Sequence, residues 1–542
     1  MYQKIKDLTY PFLFIFGTLL TKQLNFLNYN STDSPDFAEY FKYFEYNVEI
    51  LTYSTREQGL LYYYLHSWYF FINDYDLNSE NFFIYLNKSI QEVNLIIYLI
   101  GTIGLYFLFR FQNVRKNIIY LSLLALNFFP VSIAMRLVLK PEILGFAMLP
   151  WLILCFELFL KTKKIKYLLL SFPFLVISIS AKGSILACFG IYFLIFYSKI
   201  LLKINKKQIF YLFLIFLIIF SFTVYEDQSK NNRNLFEIES GSVSRENYDN
   251  KASLSNIYNI NFFNLITSPV KNNHANSLVA ITLLDTFGDY FDLYWDNDSS
   301  NYFKFRKEII SLETSENISP PTYMSSDKKL ILYTQKNTDL YLRKSFGLIL
   351  SLFFFGSIIR SLFNKKDIKF TLAPLVGLLV LIIHAITGFP VNNFDPSVGD
   401  TFKTLYYSFF VCLAFVFIFK NLIESNKFMH TKFIIYLISM IFILGFPKIS
   451  NYEYENSISI LNNYSEMCEI NKIYFDSNFE ENQYLSCVDS DRFVPSNFGS
   501  YDNFEYFKNR PFFGLMNLFN FTTFLASLIY LIVSFRTKRL NE

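Results

Sequence analysis

The sequence predicts an all-α polytopic membrane protein with about twelve transmembrane helices and extracytoplasmic loop domains. Three observations predict it. The chain of 542 residues is 52% hydrophobic and 17% charged, where a soluble protein carries about a quarter charged residues. Apolar runs of roughly 18 residues recur along it, each long enough to cross a ~30 Å hydrocarbon core. Basic residues gather in short segments between alternate runs, as the positive-inside rule requires. The high hydrophobicity also excludes a disordered chain.

The runs fall at 10–27, 93–109, 117–135, 142–160, 166–181, 184–201, 208–225, 344–360, 370–388, 403–420, 431–447 and 512–535. The first lacks the tripartite pattern of a removable signal peptide and is expected to remain as an anchor. With the N-terminus inside, the inner segments are 1–10, 110–117, 161–166, 199–207, 360–369, 420–432 and 536–542. They hold 23 of the 49 Lys and Arg residues in 63 positions, against Asp7, Asp367, Glu424 and Glu542. All seven are net basic, which supports twelve spans with both termini inside. The overall charge of +4 is uninformative beside that sidedness, and no basic block points to nucleic acid.

This reading divides the chain into a seven-helix membrane module at 1–225, with a functional first outer loop at 28–92, and an extracytoplasmic domain at 226–343. A second membrane module at 344–447, an extracytoplasmic subdomain at 448–511 and a last helix with a cytoplasmic tail at 512–542 complete it. The long outer segments are rich in Asn, Ser, Asp and Tyr and exceed simple turns, so they are expected to be ordered and functional. Cys468 and Cys487 share one of them and either pair on an oxidising side or stay as two thiols. Cys155, Cys188 and Cys412 read as small apolar residues of spans. His66, His274, His384 and His430 share no metal-ligand spacing, and there is no CxxC.

Chemistry-bearing residues gather on the outer side. The first loop opens with Thr32-Asp33-Ser34-Pro35-Asp36-Phe37-Ala38-Glu39-Tyr40, and Phe37, Tyr40, Phe41, Phe44 and Val48 form a helical apolar stripe. Asp33 or Ser34 can cap that helix while Asp36 complements its dipole; the alternative is a catalytic carboxylate just outside the first span. The stretch from Arg56 and Glu57 to Trp68 is apolar nearly all round and too short to span, which suits an interfacial helix with His66 as a polar tip.

Arg136, Lys140 and Lys182 sit in short outer turns, against the basic-inside bias. They either snorkel to lipid headgroups or hold a lipid-linked phosphate. Asp285, Asp289, Asp292 and Asp296 would share one helix face, either a solvated surface or a site for sugar hydroxyls or a divalent cation. Asp74-Tyr75-Asp76, Asp296-Asn297-Asp298 and Asp489-Ser490-Asp491 are cheap triplets in an Asp-rich chain and are discounted. Within the spans only Lys22, Glu157 and His384 are candidates for the midplane charges that transporters use, which favours outer-face chemistry over a channel or pump.

The pattern resembles the GT-C superfamily of integral-membrane glycosyltransferases. The resemblance rests on Asp33, Asp36 and Glu39 after the first span, on Arg56-Glu57-Gln58-Gly59-Leu60-Leu61-Tyr62-Tyr63-Tyr64, on the Leu139-Lys140-Pro141-Glu142 turn, and on seven spans before a large outer domain with Asp285-Thr286-Phe287-Gly288-Asp289-Tyr290. It covers residues 1–225 coherently and the rest in architecture alone. Where many members have two adjacent acidic residues, this chain has Asp33-Ser34-Pro35-Asp36.

The resemblance implies an inverting hexosyl or pentosyl transferase that moves a sugar from a polyprenyl-phosphate carrier to a glycan, lipid or protein acceptor. It implies a multi-pass protein of a bacterial inner (plasma) membrane, with its site on the extracytoplasmic side among membrane lipids. Asp36, with Asp33 second, would be the general base. Arg136, Lys140 and Lys182 would hold the donor phosphate, and Glu39, Arg56, Glu57, Asp285 and Asp289 would line the substrate site. No cofactor is specified and no metal site is assigned. The alternatives are a lipid-linked glycan polymerase or ligase, and a non-enzymatic transporter or flippase.

Overall fold

The computed structural model describes residues 2–28, 61–75, 82–204, 259–267, 277–287, 338–364, 367–387 and 404–425, with isolated positions at 31, 40, 41, 43, 44, 210, 211, 214, 217, 257 and 274. Every regular element among them is helical. Five helices are long and apolar enough to cross a bilayer, and a bent helix pair makes a sixth if counted as one span. Three shorter apolar helices lie beside them. The expected runs 431–447 and 512–535 lie outside the described residues, and 208–225 is represented by four helical positions.

The chain opens with α1 (Tyr2–Asn28) and continues through α2 (Leu61–Ile72) to α3 (Phe82–Phe111). On α3, Ile96, Ile100, Ile103 and Phe107 are exposed at helical spacing, while Asn87, Asn94 and Tyr98 are buried. The outward stripe is as apolar as the core, as a lipid-facing surface must be, and the polar groups turn to other helices. Gly101 and Gly104 let α6 (Glu142–Thr162) approach α3 closely: a Cβ on Gly101 would lie 2.6 Å from the Phe146 ring, and one on Gly104 2.8 Å from the Trp151 indole. The Trp151 indole donates to the Ile100 carbonyl at 3.1 Å across the same contact.

The expected span 117–135 is broken. Helices α4 (Lys116–Phe128) and α5 (Pro130–Leu137) meet at 61°. Pro130 lacks the amide hydrogen that would continue the ladder and is well placed as the first residue of α5. Phe129, at the corner, stacks on Phe415 at 4.1 Å and lies edge-on to Phe287 at 5.0 Å. In an unbroken helix the Asn127 carbonyl would accept from the residue-131 amide. Here the Arg136 guanidinium supplies the donor, with Nη2 2.5 Å from the Asn127 carbonyl oxygen. Its Nε donates to Ser132 O at 3.1 Å and its Nη1 to the Thr21 hydroxyl of α1 at 3.1 Å. The Asn127 side chain joins the same staple, accepting from Tyr98 and donating to Thr18, both at 2.8 Å.

Helix α7 (Lys166–Ala181) packs on α6 and is followed by α8 (Gly183–Tyr197) and a 3-10 turn, Ser198–Lys203. From segment 226–343, α9 (Phe262–Thr267) and α10 (Leu278–Phe287) are described. The latter is buried, with Leu278, Ile281 and Phe287 in the main core. Then come α11 (Thr338–Asn364), α12 (Ile368–Thr371), α13 (Ala373–Thr387), a 3-10 turn at Thr404–Tyr407 and α14 (Ser408–Ser425). The consecutive residues Phe409 to Val416 are all buried, so α14 is enclosed on every side among α4, α6 and α13.

The contacts sort the bundle into two ends. At one, Lys369 pairs with Glu157, which also accepts from the Tyr197 hydroxyl at 2.7 Å. Lys420 pairs with Asp367 at 2.7 Å, and the Lys161 ammonium lies 5.1 Å from the Phe111 ring. These contacts join segments 110–117, 161–166, 199–207, 360–369 and 420–432 or the helix turns beside them, the segments expected to share the inner face. At the other end meet the turns around residues 138–142, 182 and 404–407.

Candidate functional site

Two lysines converge at that second end. The turn between α5 and α6 carries Lys140, and the α7–α8 junction carries Lys182. The Lys182 ammonium lies 4.7 Å from the Tyr406 ring and 5.3 Å from the Tyr40 ring. The Lys140 ammonium lies 4.9 Å from Tyr40 and 5.6 Å from Tyr406. All four distances fall inside the ~6 Å reach of a cation–π contact. Lys182 also donates to the Tyr40 hydroxyl at 3.0 Å and pairs with Glu142 Oε1 at 2.7 Å. Among the described residues the cluster therefore holds two ammonium groups, one carboxylate and two phenol rings.

Each member is placed by a specific local device. Lys140 rides on a turn clamped from below by Asn94, whose amide donates to Val138 O at 2.9 Å and to Arg136 O at 3.3 Å. The Asn94 carbonyl accepts in turn from the Tyr62 hydroxyl at 2.8 Å. Pro141 ends the turn and Glu142 opens α6, where a carboxylate complements the helix dipole. Lys182 is the extended residue between two helices, with φ −163° and ψ 143°. Tyr406 is set by Asp285, whose Oδ2 accepts from the Thr404 backbone amide at 3.2 Å and so caps the 3-10 turn.

Tyr40 belongs to segment 28–92, expected to be the first outer loop. As the stripe predicts, Tyr40, Phe41 and Phe44 are buried, and Tyr43 with them. Tyr43 stacks on Tyr63 at 5.1 Å and Phe44 packs on Phe70 at 5.3 Å, which docks the loop on α2. Helix α2 is one-sided: Tyr62, Tyr63, His66 and Phe70 are buried, while Trp68, Phe71 and Ile72 face outward. Tyr69 ties it to α3 through Glu92 Oε2 at 2.7 Å, and Lys22 of α1 pairs with the other oxygen at 3.0 Å.

Several expectations change. Arg136 and Lys140 are each 2% exposed, so they do not snorkel. Arg136 spends its hydrogen bonds on the helix break and lies 4.7 Å from the Tyr98 ring, away from the two rings that Lys140 and Lys182 share. Asp285 is not on a solvated helix face; it is fully buried and caps the turn before α14. His66 is not a polar tip at the interface. It is fully buried, with Nδ1 3.3 Å from the Ser89 hydroxyl and no partner for Nε2 among the described residues, and desolvation pushes its pKa down to about 3. Asp33, Asp36, Glu39, Arg56, Glu57, Asp289, Cys468 and Cys487 lie outside the described residues.

Sequence reasoning missed Glu142, Asn94 and Tyr406 as members of this site. Glu142 had a signal, since an acidic residue beside an outer lysine is a ready counter-ion. Tyr406 had none in a chain with 40 tyrosines. Among the described residues no group of three or more His, Cys, Asp or Glu side chains converges as metal ligands. Chemically, the cluster is suited to an anion, because two ammonium groups converge on the same pair of rings. No protein-family model, curated protein sequence or solved structure matches the chain.

Proposed function

We propose that this protein is a GT-C-like membrane glycosyltransferase that moves a sugar from a polyprenyl-phosphate carrier to an acceptor at the outer face. The observation that carries the reading is the convergence of Lys140 and Lys182 on Tyr40 and Tyr406, with Glu142 paired to Lys182. In transfer, the bond from the anomeric carbon to the phosphate oxygen breaks as the acceptor oxygen attacks from the opposite side. Negative charge then grows on the departing phosphate, where two enclosed ammonium groups stabilise it most. Asp36, with Asp33 second, takes the proton from the acceptor hydroxyl. Arg136 serves as scaffold in this reading, and Lys140 and Lys182 hold the phosphate.

The test is incubation of the purified protein in lipid nanodiscs with radiolabelled polyprenyl-phosphate sugars, followed by product identification. Transfer of one sugar with inversion is expected, and Asp36→Asn should lower turnover by about 10²–10⁴-fold while the protein still inserts. Wild-type turnover in that variant removes Asp36 from the mechanism. Absence of both transfer and donor binding in the wild-type protein refutes the reading. Transfer of a whole lipid-linked oligosaccharide would identify a polymerase or ligase instead.

A further inference from the structure

Glu142 is placed as more than a counter-ion. It is fully buried, and its two oxygens are treated differently. Oε1 accepts from Lys182 at 2.7 Å, whereas Oε2 has no hydrogen-bond donor among the described residues. A buried carboxylate oxygen without a donor is costly, because the water it gave up is not replaced. The helix dipole at the start of α6 eases the charge but supplies no hydrogen bond to that oxygen.

The identity of the missing donor follows from the neighbours. A phosphodiester oxygen carries no hydrogen and so cannot be the donor. A metal ion would need further ligands, and no group of three or more acidic, His or Cys side chains surrounds this position among the described residues. What remains is a neutral donor. The site already joins two ammonium groups to the Tyr40 and Tyr406 rings, where the phosphate of a glycosyl carrier would be held.

We infer that Glu142 Oε2 accepts a hydrogen bond from a hydroxyl of the sugar being carried, making Glu142 a specificity residue. Because Oε1 of the same carboxylate holds Lys182, the hydroxyl read is one close to the anomeric carbon that bears the phosphate. The inference rests on the glycosyl-carrier reading above, and its test separates the two.

Binding to the purified protein is measured for decaprenyl phosphate and for its glucosyl, mannosyl, arabinosyl and 2-deoxyglucosyl forms. Wild-type protein should bind a glycosylated form more tightly than the bare carrier. Glu142→Gln keeps the shape but replaces the charged acceptor by a neutral amide, so the contact with the hydroxyl loses its charge assistance; it should remove about tenfold or more of that sugar-dependent gain. Binding of the bare carrier should be tighter, since Lys182 loses its counter-ion. If the wild-type protein binds no carrier at all, the carrier reading falls and this inference with it. If it binds carriers and the sugar-dependent gain survives in Glu142→Gln, the role of Glu142 alone is overturned. Equal weakening of carrier and glycosylated carrier also overturns it, because Glu142 then only holds Lys182. Should the variant fail to fold, the wild-type comparison decides: equal affinity for the glucosyl and 2-deoxyglucosyl carriers counts against a hydroxyl contact next to the anomeric carbon.

Discussion

Replacing Arg136 by Lys separates a scaffold from a ligand-binding role. The guanidinium bridges three protein acceptors: Asn127 O, Ser132 O and the Thr21 hydroxyl. A lysine ammonium keeps the charge but has one nitrogen in place of a planar fork, so it can satisfy about one of those sites at once. Two hydrogen bonds are then lost. Bonds from charged donors contribute about 1.5–3 kcal/mol each, but hydrogen bonds measured inside membranes average nearer ~0.6. At about 1–2 kcal/mol per bond, Arg136→Lys should destabilise the fold by about 2–4 kcal/mol. Part of that cost is the Asn127 carbonyl, left without a donor at the 61° bend. The assay is equilibrium unfolding in mixed detergent micelles, read by the change in helical signal, alongside binding of decaprenyl phosphate to the folded fraction. The unfolding midpoint should fall while carrier affinity per folded molecule is kept. Wild-type stability with a tenfold or greater loss of carrier binding would refute the scaffold argument and return Arg136 to the donor site.

Two further outcomes follow from the same geometry. His66 is buried neutral with its pKa pushed down to about 3, so the unfolded chain binds more protons than the folded one below about pH 6.5. Stability should be full above that value and fall with pH toward 3, by about 2 kcal/mol on reaching pH 5; His66→Gln should flatten this slope, and an unchanged slope would show that another group causes it. Gly101→Ala puts a methyl group against the Phe146 ring and 3.0 Å from the Phe146 carbonyl, so α3 and α6 must separate, at a cost of about 1–3 kcal/mol. An unchanged unfolding midpoint in that variant would mean the helices are not packed this closely.

The membrane character of the chain was legible wherever an apolar run coincided with a whole helix. The runs 142–160 and 166–181 match Glu142–Thr162 and Lys166–Ala181 closely. The run 93–109 matched less well, because hydropathy stops at Asn87, Ser89 and Gln91 while the helix continues through them to Phe82. Those polar residues are buried in the bundle, where Ser89 lies 3.3 Å from His66 Nδ1 and Asn87 Oδ1 accepts from the Ser31 amide and the Gln91 side chain, so a hydropathy window misreads them as an end. Pro130 was visible in the run 117–135, but its presence does not imply a bend in a membrane helix; the angle depends on which partner takes the freed carbonyl. The two site lysines could be found because they broke the charge-sidedness rule. Of their partners, Glu142 had a signal and Tyr406 had none: the contact of Tyr406 with Lys182 depends on a cap from Asp285, distant in sequence, and acidic residues of a long loop are seldom fully buried.

The ion pair at the opposite end has a consequence for how the chain is made. Glu157 and Lys369 are 212 positions apart, so at about 5–20 residues per second the ribosome delivers the lysine about 10–40 s after the glutamate. During that interval the first membrane module carries an acidic group without its final partner. The Tyr197 hydroxyl, only 40 positions downstream, arrives within about 2–8 s and donates to the same carboxylate oxygen. Tyr197 thus acts as a placeholder during synthesis, stabilising the early half until the later helices close on it.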